Sequence, residues 1–382
     1  MKVRLGNYIN EYSVRNKNDE NIPVYSVTNT KGFCRDYFGK EVASKDKTTY
    51  KIVPRGYFAF NPSRINVGSV DWQRNEDRVI VSPLYNVFSV SPQLDQQYLY
   101  YYLKSDFVLQ RIRAVATGSV RDNLKLAMLY EFPIRLPSIE RQKEMAERLD
   151  KVKNVIALRE QEYQRLDELI KARFVEMFGD PSRNQKKWDI YQLNECLERI
   201  DSGKSFVCSD KPRQGSYPAV LKLSAATYGD YRPIENKALL DESQFVEGAE
   251  VHSGDLLFTR KNTPELVGMA TYVHETPEKL MMPDLIFRLV TNEKMNPVFL
   301  WQLINCKEFR PVIQGIAGGS AKSMSNISKE RLGKINMICP PRQLQDKLVP
   351  FIVQVDKSKA VIQKSLEEAQ LLFDSLMQQY FG

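Results

Sequence analysis

The sequence predicts an α+β protein in which two related globular domains alternate with two long helices. Three observations carry that prediction. The chain uses one closing phrase twice, two segments share a heptad of apolar residues, and the phrases upstream of each segment recur in the same order.

The closing phrase comes first. "RFVEMFGDPS" stands at 173–182, and the chain ends on "SLMQQYFG" at 375–382. Aligning Phe178-Gly179 with Phe381-Gly382 brings Pro137 onto Pro340, Gln142 onto Gln345, Val152 onto Val355 and Ala157 onto Ala360 at the same offset. Self-similarity of this kind is the mark of a duplicated unit.

The heptads lie inside the same alignment. A 4-3-4-3 spacing selects Met145, Leu149, Val152, Ile156, Arg159, Tyr163, Leu166, Ile170, Arg173 and Met177, of which eight are apolar. The aligned set is Leu348, Ile352, Val355, Lys359, Ile362, Leu366, Ala369, Phe373, Leu376 and Tyr380, of which nine are apolar. Each set is a single seam along a helix too long for an ordinary domain element, and two such seams in one chain satisfy each other. Some 40 residues of helix make a rod of roughly 60 Å. Pro350 falls inside the second pattern, where it either kinks the helix or marks its start.

Upstream, "PRGYFAFNPSRINVGSV" (54–70) parallels "HSGDLLFTRKNTPELVGMA" (252–270), and "AVATGSVRDNL" (114–124) parallels "GIAGGSAKSMSNI" (315–327). The chain therefore divides into a domain at 1–135, a helix at 136–180, a second domain at 181–337 and a second helix at 338–382. Alternating runs such as "YKIVPRGYFAF" predict strands. "QQYLYYYLKSDFVLQRI", "PVFLWQLINCKEF" and the shorter "LNECLERI" predict helices.

Composition bounds the function. The 382 residues are 42% hydrophobic and 27% charged, with a net charge of +8. That basic balance is compatible with a polyanionic partner. No apolar run predicts a membrane span, and "MKVRLGNYINEYS" has no signal-peptide core. The five scattered cysteines predict reduced thiols in a cytoplasmic protein.

Catalytic motifs are absent. His252 and His274 form no metal-binding spacing, so no metal site is expected. "SGKS" at 202–205 resembles the end of a phosphate-binding loop, but Glu198 stands where its first glycine should be. "NPSR" lacks the second proline and the aromatic of an amino-methyltransferase motif. Pro283-Asp284 lacks the Glu-x-Lys of a nuclease. The loops are better supplied for recognition. They offer Asn29, Lys31 and Arg35, then Asn61 and Arg64, then Ser119 and Arg121 in the first domain. The second domain offers Lys222 and Ser224, then Arg260, Lys261 and Asn262, then Ser320 and Lys322. Cations and amides of this kind can read guanine and adenine edges or hold phosphate, and any one of them can equally be a solvated loop residue.

"RLPSIERQKEMAERLDKV" with "ICPPRQLQDKLVPFIVQVDKS", and "LDELIKARFVEMFGD" with "LFDSLMQQYFG", resemble the entrances and exits of the helices in specificity subunits of type I restriction–modification systems. "GDLLF…VG" and "GGSAKSMSNIS" resemble phrases of that family's target recognition domains. The resemblance spans the whole chain. It implies that each domain reads one half of a bipartite, asymmetric site on double-stranded DNA, and that the two helices pair as an antiparallel coiled coil. It further implies docking of two methyltransferase subunits and, through them, of restriction motor subunits. Those partners hold S-adenosylmethionine, ATP and magnesium, while this chain is a non-enzymatic subunit without cofactors. A mixed apolar patch including Phe174, Phe178 and Phe381 is expected to bind the partners, with Phe178 and Phe381 at opposite ends of the paired helices. Two departures stand out: the chain begins directly with a recognition domain, and Pro350 interrupts the second helix. A coiled-coil adaptor joining proteins is the competing reading, against which the basic loop clusters speak.

Overall fold

The computed structural model describes residues 2–35, 46–115, 123–318 and 324–382. The chain forms two units that each combine a globular domain with parts of both long helices. One holds 1–161 and 363–382, and the other holds 162–362.

The long helices are Ile139–Phe178, of 40 residues, and Leu348–Phe381, of 34 residues. All ten seam positions of each helix are buried or half-buried. Between 151 and 169 every other position is exposed except half-buried Asp167, so the heptad pattern correctly marks the packed stripe. Within the second unit the two helices run antiparallel. Lys359 lies 5.1 Å from the Tyr163 ring and pairs with Asp167, and Arg173 lies 5.7 Å from the Phe351 ring. Advancing along one helix thus means retreating along the other. In the first unit, Met145, Ala146 and Leu149 share a core with Phe373, Leu376, Tyr380 and Phe381, again the start of one helix with the end of the other.

Pro350 is the third residue of the second long helix. In the first turn its missing N–H has no intrahelical acceptor to lose, so it marks the start of the helix. Both helices close alike. The Gly179 N–H donates to Val175 O at 2.8 Å, and the Gly382 N–H donates to Gln378 O at 2.9 Å. Gly179 adopts φ +78°, a left-handed turn that glycine reaches without a Cβ clash.

The domains share one frame. In the first, an antiparallel sheet runs in the order Ile9–Glu11, Asn86–Val90, Phe58–Phe60, Val70–Trp72. In the second the order is Leu197–Ser202, Ile286–Thr291, Leu256–Thr259, Ala270–Tyr272. A helix follows the second strand of each sheet, Gln96–Lys104 and Pro297–Asn305 respectively. Asp95 caps the first by accepting from the Tyr98 N–H, and Asn296 caps the second by accepting from the Val298 N–H. The predicted "QQYLYYYLKSDFVLQRI" helix is broken at Ser105, whose hydroxyl donates to Tyr102 O at 2.7 Å, and resumes as Asp106–Val115.

The aligned glutamines tie each cap to its long helix. Gln142, fully buried, accepts from the Asp95 N–H at 2.9 Å and donates to Gln93 O and Pro137 O, both at 2.9 Å. Gln345, also fully buried, accepts from the Asn296 N–H at 2.8 Å and donates to Lys294 O at 2.9 Å and Pro340 O at 2.7 Å. A glutamine carries the acceptor and two donors that this junction needs, without a net charge to bury.

One expected helix is corrected. "LNECLERI" forms a single 3-10 turn, Leu193–Cys196, followed by the strand Leu197–Ser202. Glu195 folds back to accept from the Gln192 N–H at 2.7 Å, which closes the turn, and pairing with Ile286–Thr291 then overrides the helical period. The domains also differ in their outer pieces. The first has the hairpin Ser26–Thr28/Gly32–Cys34. The second has a three-stranded sheet that includes the parallel pair Ala219–Leu221 and Leu280–Met281.

Candidate nucleic-acid interface

The hairpin in the first domain lifts Asn29 and Lys31 into solvent at its tip, with Arg35 just after its second strand. The turn is tied by the Lys31 N–H donating to Thr28 Oγ1 at 3.0 Å, and Asp71 accepts from the Phe33 N–H at 3.2 Å. The Arg35 guanidinium lies 5.8 Å from the Tyr25 ring. Arg64 is exposed in the loop before the turn Ile65–Val67, whereas Asn61 accepts from the Ser63 N–H and hydroxyl at 3.1 and 2.9 Å and shapes that loop. Ser119 and Arg121 lie outside the described residues.

In the second domain Lys222 and Ser224 converge on Glu235, at 3.5 and 3.1 Å. Arg260 donates to Asn326 Oδ1 from Nε at 3.3 Å and from Nη2 at 3.2 Å, and lies 5.0 Å from the Phe287 ring. The short ladder Lys261–Asn262 with Ser325–Asn326 therefore joins two of the repeated loops. Asn262 is 8% exposed, with its amide bonded to Thr227 and to the Thr263 N–H. Its neighbour Lys261 is half-buried. Ser320 and Lys322 lie outside the described residues.

The two motif look-alikes meet in space. Lys204 bridges to Pro283, the Gly203 N–H donates to Ile286 O at 3.2 Å, and a Cβ at Gly203 would stand 2.0 Å from Pro283 O. Glycine is needed there for backbone contact. Lys204, Ser205, Lys237 and Asp284 border the resulting open groove of about 280 Å³. Among the described residues no group of three or more His, Cys, Asp or Glu could hold a metal ion.

The phenylalanines expected in an apolar partner patch are buried within this chain. Phe174, Phe178 and Phe381 are 2%, 0% and 4% exposed. Phe178 packs 4.7 Å from Phe299, and Phe174 lies 5.5 Å from the same ring. Phe381 packs 5.1 Å from Tyr98, the residue at the matching place in the other domain. These rings fasten each domain to a long helix, since burial of an aromatic ring is the largest apolar gain available there. Phe178 and Phe381 belong to different cores, one per unit.

Sequence inspection missed the groups where domain meets helix. In the first unit Arg74 lies 4.4 Å from the Trp72 ring and 5.7 Å from the Tyr100 ring, while Lys104 and Lys153 lie 5.0 and 5.4 Å from Tyr100. The corresponding place in the second unit holds Tyr272, His274, Trp301 and Asp356. His274 packs 4.9 Å from Tyr272 and 5.9 Å from Trp301, and its Nε2 stands 3.4 Å from Asp356 Oδ2. Burial raises the Asp356 carboxyl above its ordinary value, opposed by His274 and Lys359. These residues come from strand ends and helix faces, so no loop cluster signalled them. Only the repeat alignment could have paired them.

Residues 2–168 match the family described as "Type I restriction modification DNA specificity domain". The type I restriction enzyme EcoEI specificity subunit of Escherichia coli is 29% identical over 185 residues, covering 48% of this chain and 31% of that protein. The EcoKI specificity subunit of E. coli strain K12 is 21% identical over 303 residues, covering 74% and 63%. The chain thus spans about one third and just under two thirds of these curated relatives. The crystal structure of a type I restriction–modification S subunit from M. genitalium superposes over 100% of this chain and 96% of that one, with a TM-score of 0.59 at 16% identity, a likeness of fold. Residues 2–168 thus match a type I restriction–modification DNA specificity domain, and the doubled α+β architecture is similar in fold to a type I S subunit.

Proposed function

We propose that this chain is a non-catalytic subunit that recognises double-stranded DNA for a type I restriction–modification complex. Each domain reads one half of a bipartite, asymmetric site. The long helices set the distance between the halves and dock two methyltransferase subunits, through which restriction motor subunits join. The observation that carries this reading is one frame built twice with different loops. The sheet order and the glutamine clamp repeat. The exposed Asn29, Lys31 and Arg64 have counterparts of other chemistry in the Arg260–Asn326 ladder and the Lys204–Asp284 groove. A common frame holds two readers in equivalent poses, and unlike loops make the two half-sites unlike. Exposed Val155, Leu158, Leu371 and Leu372 on the long helices support a protein partner there in place of the buried phenylalanines.

The test replaces residues 1–135 with the first domain of another family member and determines the methylated site of the assembled complex. One half of the site changes while the other half and the spacing stay. A change in both halves, or in neither, overturns the modular reading. Arg64→Ala and Arg260→Ala each weaken duplex binding by about 1–3 kcal/mol and relax one base position if they contact guanine. S-adenosylmethionine bound by the isolated chain would contradict the non-catalytic assignment. Binding to protein alone, with no duplex affinity at any salt, would favour the adaptor.

A further inference from the structure

The cations around Tyr100 have no part in the recognition loops. Arg74, Lys104 and Lys153 arrive from a strand end, a helix end and the first long helix, and all three stand within 5.7 Å of the centre of one ring. Tyr100 itself is 9% exposed, so the charges lie over it. Arg74 has Asp71 at 2.9 Å as a partner. Asp150, the other carboxylate at this place, accepts from the Tyr101 hydroxyl at 2.5 Å and from Gln97 at 2.8 Å. Among the described residues neither Lys104 nor Lys153 has a carboxylate within ion-pair distance. Each cation–ring contact is worth about 0.5–1 kcal/mol when exposed, and three like charges gathered on one ring repel one another.

The second unit shows that the frame does not need them. There His274 takes the place of Arg74, Trp301 that of Tyr100 and Asp356 that of Lys153. Asn305 takes the place of Lys104 and bonds the Ala270 N–H and C=O at 3.0 and 2.8 Å. The same junction is thus built once with surplus positive charge and once with a His–Asp pair. The surplus is local to the first unit, and it borders the candidate reading hairpin: Lys104 Nζ donates to Asn29 O at 2.9 Å.

We propose that Arg74, Lys104 and Lys153 form a phosphate cradle for the DNA backbone beside the first reader, adding affinity without reading sequence. This rests on the DNA-recognition reading above. A flat ring carrying several ammonium and guanidinium groups suits a row of phosphate oxygens, whereas a protein partner would ask for apolar surface at its centre.

The full-length chain is titrated with a random-sequence duplex and with a duplex pool selected by the wild-type chain, over about 50–200 mM salt. Lys104→Gln with Lys153→Gln lowers affinity for both duplexes by the same factor and makes the log–log salt slope shallower by about 2. The selected sequence stays the same. The control Lys143→Gln with Lys151→Gln, two exposed lysines on the same helix, removes equal charge and leaves the slope near wild type. Arg74→Lys keeps the charge and most of the affinity, which separates charge from folding, and thermal melting checks each variant. An unchanged slope in the Lys104/Lys153 variant, or an equal effect of the control pair, overturns the cradle alone. So does loss of methyltransferase capture with duplex binding intact, which would make the patch a protein interface. A wild-type chain that binds neither duplex removes the DNA-recognition reading and the cradle together.

Discussion

The two units solve the same mechanical problem identically and one electrostatic problem in opposite ways. Gln142 and Gln345 make the same set of bonds, and Phe381 and Phe178 lodge against equivalent positions, Tyr98 and Phe299. At the same junction, Arg74, Lys104 and Lys153 in one unit correspond to His274, Asn305 and Asp356 in the other. Bonds that hold the helix to the domain have one workable geometry, because a buried polar group must be satisfied. Charges at the junction are not bound by that requirement and differ between the units.

The largest expected effect breaks the shared part. Gln142→Ala leaves the Asp95 N–H and two carbonyls without partners and opens a cavity, at a cost of about 3–5 kcal/mol to the first unit. Gln345→Ala does the same to the second. Amide hydrogen exchange, read separately in the two domains, should show each variant loosening its own unit by a similar amount. Unequal losses would mean that the two clamps are alike only in geometry. Phe178→Ala and Phe381→Ala should each lower stability by about 3–4 kcal/mol, again in their own units, as buried aromatic truncations do.

The smallest effect sharpens the unlike part. Asp356 faces His274 and Lys359 as partners and Asp167 as a repelling carboxylate, and burial raises its pKa. The folded chain therefore holds this proton to higher pH than the unfolded chain, whose ordinary value is about 3.9. Stability from this group is present at low pH and falls as pH rises through the raised value. Asp356→Asn should remove that fall. The variant is expected to be more stable than wild type at neutral pH and to lose that advantage as pH falls into the ordinary carboxylate range, measured by denaturant melts across pH. Lys153→Asn in the first unit, which removes a cation and leaves no carboxylate at that position, should show no such pH-dependent gain. An equal gain in both variants would end the electrostatic contrast.

Much of the architecture was legible because it is periodic. The 4-3 spacing needs only helical geometry to name the packed stripe, and the aligned Phe-Gly endings mark where each long helix stops. Pro350 was ambiguous, since a proline that starts a helix and one that kinks it look the same until the helix is seen to begin at Leu348. "LNECLERI" misled because four residues of turn and six of strand happen to carry a helical period, and a partner strand far along the chain settled the matter. The candidate interface was legible only where cations sit in loops. Asn262 was among the expected loop residues and is buried, bonded to Thr227, whereas Lys104 and Lys153, which share the Tyr100 ring, lie on helices and were not among the expected residues.

The sequence by itself determined that two segments carry a repeated apolar stripe and where each long helix ends, because these follow from local geometry repeated along the chain. The start of the second long helix at Leu348, after the strand Asn336–Cys339 and the short helix Arg342–Asp346, came only with the structure. Only the tertiary structure decided that the aligned glutamines are clamps, that the echoing phenylalanines are core, and that one junction gathers three cations where its twin holds a His–Asp pair. Those properties depend on which side chains meet across distant segments, and solvent exclusion and charge take their value from that meeting.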